Sequence, residues 1–158
     1  MKIYVIRHGI TELNKMKKVN GQIDEPLASE GIEQVKTNVA GIPQSVIHIY
    51  SSPLIRARQT AEIISSKKRL FSLHDELTEI KMGSLAGKSW EEMDGGSELK
   101  KRHRTVQFDY RPYGGESVRE VKKRLMEFFK DINGKHKDYE ALIITHGGDY
   151  SCTPFSGK

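Results

Sequence analysis

The chain reads as an α/β protein, a three-layer sandwich in which a mainly parallel sheet carries helices on both faces. Short apolar runs rich in β-branched residues recur at 3–6, 46–50, 70–74 and 141–145. Segments with apolar residues at helical spacing lie between them, and strands that alternate with helices argue for parallel pairing. The 158 residues, 36% of them hydrophobic, are enough to bury a core and suit one domain over 1–158.

The first strand holds Ile3, Val5 and Ile6 around Tyr4, so cover on both faces is expected. It runs straight into Arg7-His8-Gly9. Gly9 is expected to let the backbone approach a ligand and bend away. A cation and an imidazole then stand at the carboxyl end of a strand, where open α/β sheets bind their ligands.

Residues 21–27 read as a loop. Ser29 is placed as the cap of a helix with Ile32, Val35 and Val39 on one face, stopped by Gly41 and Pro43. In the second strand, His48 is expected to be a satisfied structural histidine. Ser52 as N-cap and Pro53 as first helical residue open the next helix, with Leu54, Ala57, Ala61 and Ile64 as its buried stripe. Arg56 falls in the first turn and leans toward the helix start, where free N–H groups favour an anion.

After the third strand, residues 75–83 form an acidic, glycine-terminated loop that contains Glu76 and Glu79. Ser89 with Glu92 matches a capping box for a short helix around Trp90. The periodicity assigns nothing to residues 95–113, which suit an excursion covering a substrate pocket. Ser117 with Glu120 is a second capping box. It opens the strongest helix, with Val118, Val121, Leu125, Phe128, Phe129 and Ile132 on its apolar face and Gly134 at its end. The last strand delivers His146-Gly147-Gly148.

Composition narrows the function classes. No apolar run approaches the ~20 residues that span a bilayer, and no secretory leader precedes the first strand. The single cysteine, Cys152, excludes an intramolecular disulfide and fits a cytoplasmic protein. The net charge of +5 is spread over scattered Lys and Arg clusters without stacking aromatics, so solvated faces are expected rather than a nucleic-acid surface. No Cys or His spacing resembles a zinc site and no Walker loop occurs, so neither metal nor cofactor is expected.

Two histidines and two arginines at one sheet edge suit phosphoryl transfer. A neutral imidazole, with a reference pKa of about 6.5, is a competent nucleophile near neutrality once one ring nitrogen is held as a donor. Arg7, Arg56 and Asn14 offer charge and donors to phosphoryl oxygens, and a protonated His146 would add another. A carboxylic acid of the Glu79 loop can protonate the leaving oxygen, with Glu76 as the nearest competitor.

These pieces resemble the histidine phosphatase superfamily, the phosphoglycerate mutase-like family. The matching residues are Arg7-His8-Gly9, Asn14, Ser52-Pro53-Leu54 with Arg56-Ala57 and Gln59-Thr60-Ala61, Leu77-Thr78-Glu79-Ile80 with Gly83 and Gly87, Gly114-Gly115-Glu116-Ser117 and His146-Gly147-Gly148. They occur in family order over nearly the whole chain. The resemblance implies a phosphohistidine on His8, a phosphate pocket of Arg7, Arg56 and His146, and Glu79 as proton donor. It adds Asn14 as a phosphate contact, and Glu116 with Ser117 near the substrate.

Glu79 and Gly114 stand 35 positions apart, a short covering segment that resembles the small phosphatases more than the mutases. The implied activity is hydrolysis of a small phosphorylated metabolite. Mutase-type transfer and a catalytically weak phospho-ligand binder are the alternatives. The resemblance also implies an apolar helix after the second histidine. Residues 147–158 are polar instead, and Pro154 interrupts any helix there. Part of the sheet is therefore expected to be left as an exposed apolar patch or a subunit interface, as in a homodimer.

Overall fold

The computed structural model describes residues 2–66, 69–135 and 140–148. Its strands are β1 (Lys2–Arg7), β2 (Val46–Ser51), β3 (Leu70–Leu73) and β4 (Glu140–Thr145). They form one sheet in the order β1-β4-β2-β3, with every neighbouring pair parallel. The helices are α1 (Glu12–Lys15), α2 (Ser29–Asn38), α3 (Ile55–Ser65), α4 (Gly96–Arg104) and α5 (Val118–Lys135).

The period-2 alternation of strand side chains sorts the core into two layers. Ile3 and Val5, Tyr50, and Ala141 and Ile143 face Val121, Leu125, Phe128 and Ile132 of α5. Tyr4 and Ile6, Val46 and Ile49, and Leu142 and Ile144 face the other way, into a cluster with Val35 of α2 and Ala57, Ala61 and Ile64 of α3. The helical stripes expected for α3 and α5 are the faces that are buried.

Several elements differ from expectation. β1 packs on both faces, but only in part. It forms one edge of the described sheet, and residues 3–6 are only half-buried. The reason is topological: the last strand, β4, inserts between β1 and β2 and takes the central position. Packing alone already requires a glycine at position 9. A Cβ there would lie 2.8 Å from both Gly31 O and Val35 Cγ2 of α2.

Capping differs in two places. α2 has Ala28, not Ser29, at its cap position. α3 starts at Ile55, later than Ser52 and Pro53 suggest, with Leu54 at the cap position and no local side-chain cap. Its first N–H, on Ile55, donates to Asp24 Oδ1 at 2.6 Å, so a residue from a distant loop replaces the local cap. The two capping boxes are both present. Ser117 N–H donates to Glu120 Oε2 at 2.8 Å, Glu120 N–H donates back to Ser117 Oγ at 3.4 Å, and the Ser89–Glu92 pair does the same. α5 runs one residue past Gly134.

The unassigned stretch 95–113 contains α4, which packs on the 3-10 turn Trp90–Glu92. His48 is structural, 3.1 Å from Ser72 Oγ and against the Tyr50 ring at 4.5 Å between centroids. The apolar patch expected beyond His146 falls on residues outside those described. Among the described residues, exposed apolar side chains gather instead at the far edge of the sheet, on Ile47, Leu70, Phe71 and Leu73. No described helix is long and apolar enough to cross a membrane.

Candidate active site

Strand register assembles the site. Arg7 pairs with Thr145, and Ile144 pairs with Ser51, so β1, β4 and β2 end side by side. His8 N–H donates to Thr145 O and Ser52 N–H to Ile144 O, each at 3.1 Å, which carries the alignment one residue past the strands. His8, His146 and Ser52 therefore stand in a row at the carboxyl edge although they are up to 138 positions apart. The rings of His8 and His146 lie 5.0 Å apart between centroids.

His8 Nδ1 sits 2.7 Å from Gly9 O. A carbonyl can only accept, so Nδ1 carries the proton and Nε2 keeps its lone pair. Burial, together with the charge of Arg56 and Arg7, lowers the pKa of His8 to about 3. The backbone carbonyl of Gly9 opposes the shift only in part. The ring is thus neutral and oriented at physiological pH.

Arg56, on the second residue of α3, has no exposed surface. Its Nη1 donates to Ile23 O at 2.7 Å, its Nη2 to Gly21 O at 2.8 Å and its Nε to His8 Nε2 at 3.3 Å. Thr60, one helical turn on, donates to Arg56 O and accepts from Gly9 N–H, which ties α3 to the His8 turn. Arg7 extends over Gly147, where a Cβ would lie 3.7 Å from its Nε.

His146 is fully buried. Its Nε2 is 2.9 Å from Ser52 Oγ, while its Nδ1 has no hydrogen-bond partner among the described residues and lies 3.9 Å from Glu79 Oε2. Burial, with Arg56, His8, Arg7 and Arg124 nearby, holds its pKa well below the usual histidine value. This shift favours the neutral imidazole over the protonated donor considered from the sequence. Glu79 is 14% exposed in its side chain. Burial raises its carboxyl above the usual range, against the opposing effects of the Ile80 N–H, Arg56, Arg7 and Arg124. Gly148 lies close against this residue, since a Cβ there would meet Ile80 Cδ1 at 2.5 Å and Glu79 Oε1 at 2.8 Å.

Glu79 opens on a cavity of about 230 Å³ that Arg7, Asn14, Lys18, Trp90 and His103 also line. A second cavity of about 290 Å³ is lined by Arg7, His8 and Asn14 together with apolar side chains such as Ile6, Val35 and Ile64, so His8 opens on this cavity and Glu79 on the first. Asn14 lines both. Its Oδ1 accepts from Thr11 N–H, closing a capping box at α1, and its Nδ2 donates to Asn20 Oδ1 at 2.6 Å.

The structure brings Arg7, His8, Arg56, Glu79 and His146 together, with Asn14 at the margin. Glu116 and Ser117 make scaffold contacts. Glu116 accepts from Lys81 N–H at 2.8 Å and from Arg124 at 3.1 Å, and Ser117 caps α5. Glu76 gives only its backbone carbonyl, to Arg124, while its carboxylate lies 3.9 Å from His74. Sequence reasoning missed Ser52 as a partner of His146, because its cap chemistry explained it locally. Trp90, placed only in a short capped helix, and His103, in a segment without periodicity, carried no signal that they line the cavity. Among the described residues, no three His, Cys, Asp or Glu side chains gather as metal ligands.

A model of the histidine phosphatase superfamily (branch 1) matches residues 3–153. The chain belongs to that superfamily. Phosphoglycerate mutase-like protein 4 of Arabidopsis thaliana is 34% identical over 92% of this chain, and the metal-independent phosphoserine phosphatase of the same plant is 31% identical over 92%. The chain spans 66% and 64% of the length of these two curated relatives. The crystal structure of a histidine-to-alanine variant of Entamoeba histolytica phosphoserine phosphatase, in complex with phosphoserine, superposes with a TM-score of 0.82 at 26% identity. The match covers 98% of this chain and 78% of that one. Its parallel sheet with flanking helices is thus the superfamily's phosphoglycerate mutase-like fold.

Proposed function

We propose that this histidine phosphatase superfamily member is a metal-independent phosphomonoester hydrolase acting on a small phosphorylated metabolite. The observation that carries the reading is the pairing at His8. Its Nδ1 is tied to Gly9 O at 2.7 Å, and its Nε2 lone pair faces the Arg56 guanidinium. That lone pair attacks phosphorus while the bond to the alcohol oxygen breaks. The electron pair of that bond leaves with the oxygen, which takes the Glu79 proton. Arg7, Arg56 and His146 hold the phosphoryl oxygens, and Asn14 adds a donor at the margin. Water then attacks the phosphohistidine, the P–N bond breaks back onto Nε2, and the Glu79 carboxylate accepts the water's proton.

A raised carboxyl suits both halves of this cycle, because it is protonated when the alcohol leaves and basic when water attacks. The cavity at Glu79, about 230 Å³, and the one at His8, about 290 Å³, both lie below the usual range of roughly 300–1,000 Å³ for ligand pockets, which favours a small substrate. Phosphoserine, the ligand of the Entamoeba histolytica relative, is of suitable size and heads the substrate panel. The single cysteine supports a reducing, cytoplasmic setting.

The test is hydrolysis of an aryl phosphate and of phosphoserine in excess chelator, by the parent chain and by His8→Ala. Turnover in the parent, loss of it in the variant, and an acid-labile, base-stable phosphoenzyme after rapid quench are expected. A parent that binds phosphate without turning over, or label on a serine, overturns the reading. Interconversion of phosphoglycerates in preference to hydrolysis would make the chain a mutase.

A further inference from the structure

We propose that Ser52 is a positioning residue that sets the tautomer of His146, so that His146 serves the phosphoryl group as a neutral Nδ1–H donor. The inference deepens the phosphatase reading and rests on it for the role of His146, but its structural content stands on hydrogen-bond accounting.

Ser52 and His146 are both without exposed surface, so the tautomer of His146 decides which of their polar hydrogens finds an acceptor inside the protein. Ser52 Oγ has two neighbours. Leu54 N–H donates to it at 3.3 Å, and His146 Nε2 lies 2.9 Å away. Ser52 carries one hydroxyl hydrogen, and an amide nitrogen does not accept, so Nε2 is the acceptor that these contacts offer. The hydroxyl donates to Nε2, and the imidazole proton resides on Nδ1.

The two tautomers differ in what they leave open. Nε2–H strands the buried hydroxyl hydrogen and turns a lone pair toward Glu79. Nδ1–H satisfies the hydroxyl and sets the ring N–H on the side of Glu79 Oε2, 3.9 Å away, open to a bound acceptor. The Nε2–H form would thus present a lone pair where the oxygens of a bound phosphoryl group require a donor.

Placement turns this accounting into function. Nδ1 is the ring nitrogen without a hydrogen-bond partner among the described residues, and it points to the side of Glu79 Oε2, 3.9 Å away. The His8 ring stands 5.0 Å off, Arg56 bridges to His8 Nε2, and Nδ1 lies on the Glu79 side, so Nδ1–H sits among the groups that the phosphatase reading assigns to the phosphoryl group and its leaving oxygen. The charged and titratable neighbours are Arg7, Arg56, Arg124, His8 and Glu79, four of them cationic or neutral donors. A fixed neutral donor adds a hydrogen bond to this set without a further buried charge.

Ser52 is itself held by its strand, since its N–H donates to Ile144 O at 3.1 Å. Ser52 and His146 therefore move together as the ends of adjacent strands. The two histidines end up in the same Nδ1–H tautomer with opposite uses. In His8 the protonated nitrogen faces the scaffold and the lone pair faces the site; in His146 the arrangement is reversed.

The test is long-range ¹H–¹⁵N correlation NMR on the full ¹⁵N-labelled chain, with His146→Gln used to assign the ring signals. The parent is expected to show a protonated Nδ1 and an unprotonated Nε2 at His146 between pH 6 and pH 8. Ser52→Ala is expected to shift His146 toward Nε2–H and to lower kcat about tenfold, the rate equivalent of one buried hydrogen bond. Ser52→Thr, which keeps the hydroxyl, is expected to restore both. An Nε2–H tautomer in the parent, or an unchanged tautomer in Ser52→Ala, overturns the proposal. The parent measurement decides even where a variant fails to fold. It also reads independently of turnover, so an inert parent with the Nδ1–H tautomer would sink the phosphatase reading and leave the Ser52 assignment standing.

Discussion

Arg56 Nε lies 3.3 Å from His8 Nε2, so the guanidinium and the imidazole that would share a phosphoryl group already touch. The contact has a cost and a use. With burial, the positive charge of Arg56 disfavours protonation of the ring and helps keep it neutral, while the contact holds a cation beside the nitrogen proposed to react. The guanidinium stays in place because Gly21 O and Ile23 O accept from its other two nitrogens. A loop carbonyl pair thus sets the position of the charge before any ligand arrives.

Replacing Arg56 with Lys should damage stability and activity together. An ammonium cannot reach Gly21 O, Ile23 O and the His8 side in one plane, and each buried acceptor left unpaired costs about 1–3 kcal/mol. We expect a lower midpoint in urea unfolding, and a fall in kcat/KM of at least about tenfold for aryl phosphate. A lysine variant with parental kcat/KM would show that the fork geometry is dispensable.

Stability should fall on the acid side. His8 has its pKa lowered to about 3 and His146 is also lowered, against an unfolded value of about 6.5. Between those values the unfolded chain binds the protons, so stability is lost as pH drops from about 6.5 toward 3, by up to about 1.4 kcal/mol per pH unit for each ring. Glu79 acts in the opposite sense. Its raised pKa favours the folded state below the ordinary carboxylate value, and that contribution is lost as pH rises through the folded value. Urea unfolding across pH 4–7 should therefore flatten in His8→Asn and His146→Asn and steepen in Glu79→Gln. An acid limb unchanged in both histidine variants would remove the assignment.

If Glu79 protonates the leaving oxygen, its loss should depend on the leaving group. Glu79→Gln is expected to slow alkyl phosphates by about 10²–10⁴-fold and aryl phosphates much less, since an aryl oxygen departs readily as an anion. Steady-state kinetics on the two ester classes would read this. An equal loss for both would assign Glu79 to binding rather than proton transfer.

Glu116 should behave as scaffold. Its carboxylate accepts from Lys81 N–H and from Arg124, so Glu116→Ala leaves a backbone donor and a guanidinium without it. We expect a stability loss of about 1–3 kcal/mol by urea unfolding, with KM for phosphoserine near the parental value. A raised KM in a variant of parental stability would return Glu116 to the substrate.

Much of this protein is legible in its residues. Alternating strands and helices specify the parallel sandwich, and the apolar stripe from Val121 to Ile132 specifies the buried face of α5 because helical period is a local property. The capping boxes at Ser89 and Ser117 are local as well, and both occur. Arg7, His8, Arg56, Glu79 and His146 are recoverable because each follows a strand end, a helix start or a glycine-bounded loop.

Tertiary structure alone decided the rest, through interactions between distant segments. Strand order moved β1 to an edge and gave β4 the centre, which no single strand's pattern encodes. Asp24 capped α3 in place of Ser52, and Ser52 was thereby left to face His146. Burial among arginines favoured the neutral form of both histidines, and burial raised Glu79. Residue type determined which groups could do chemistry here; only the packing around them decided which proton each one holds.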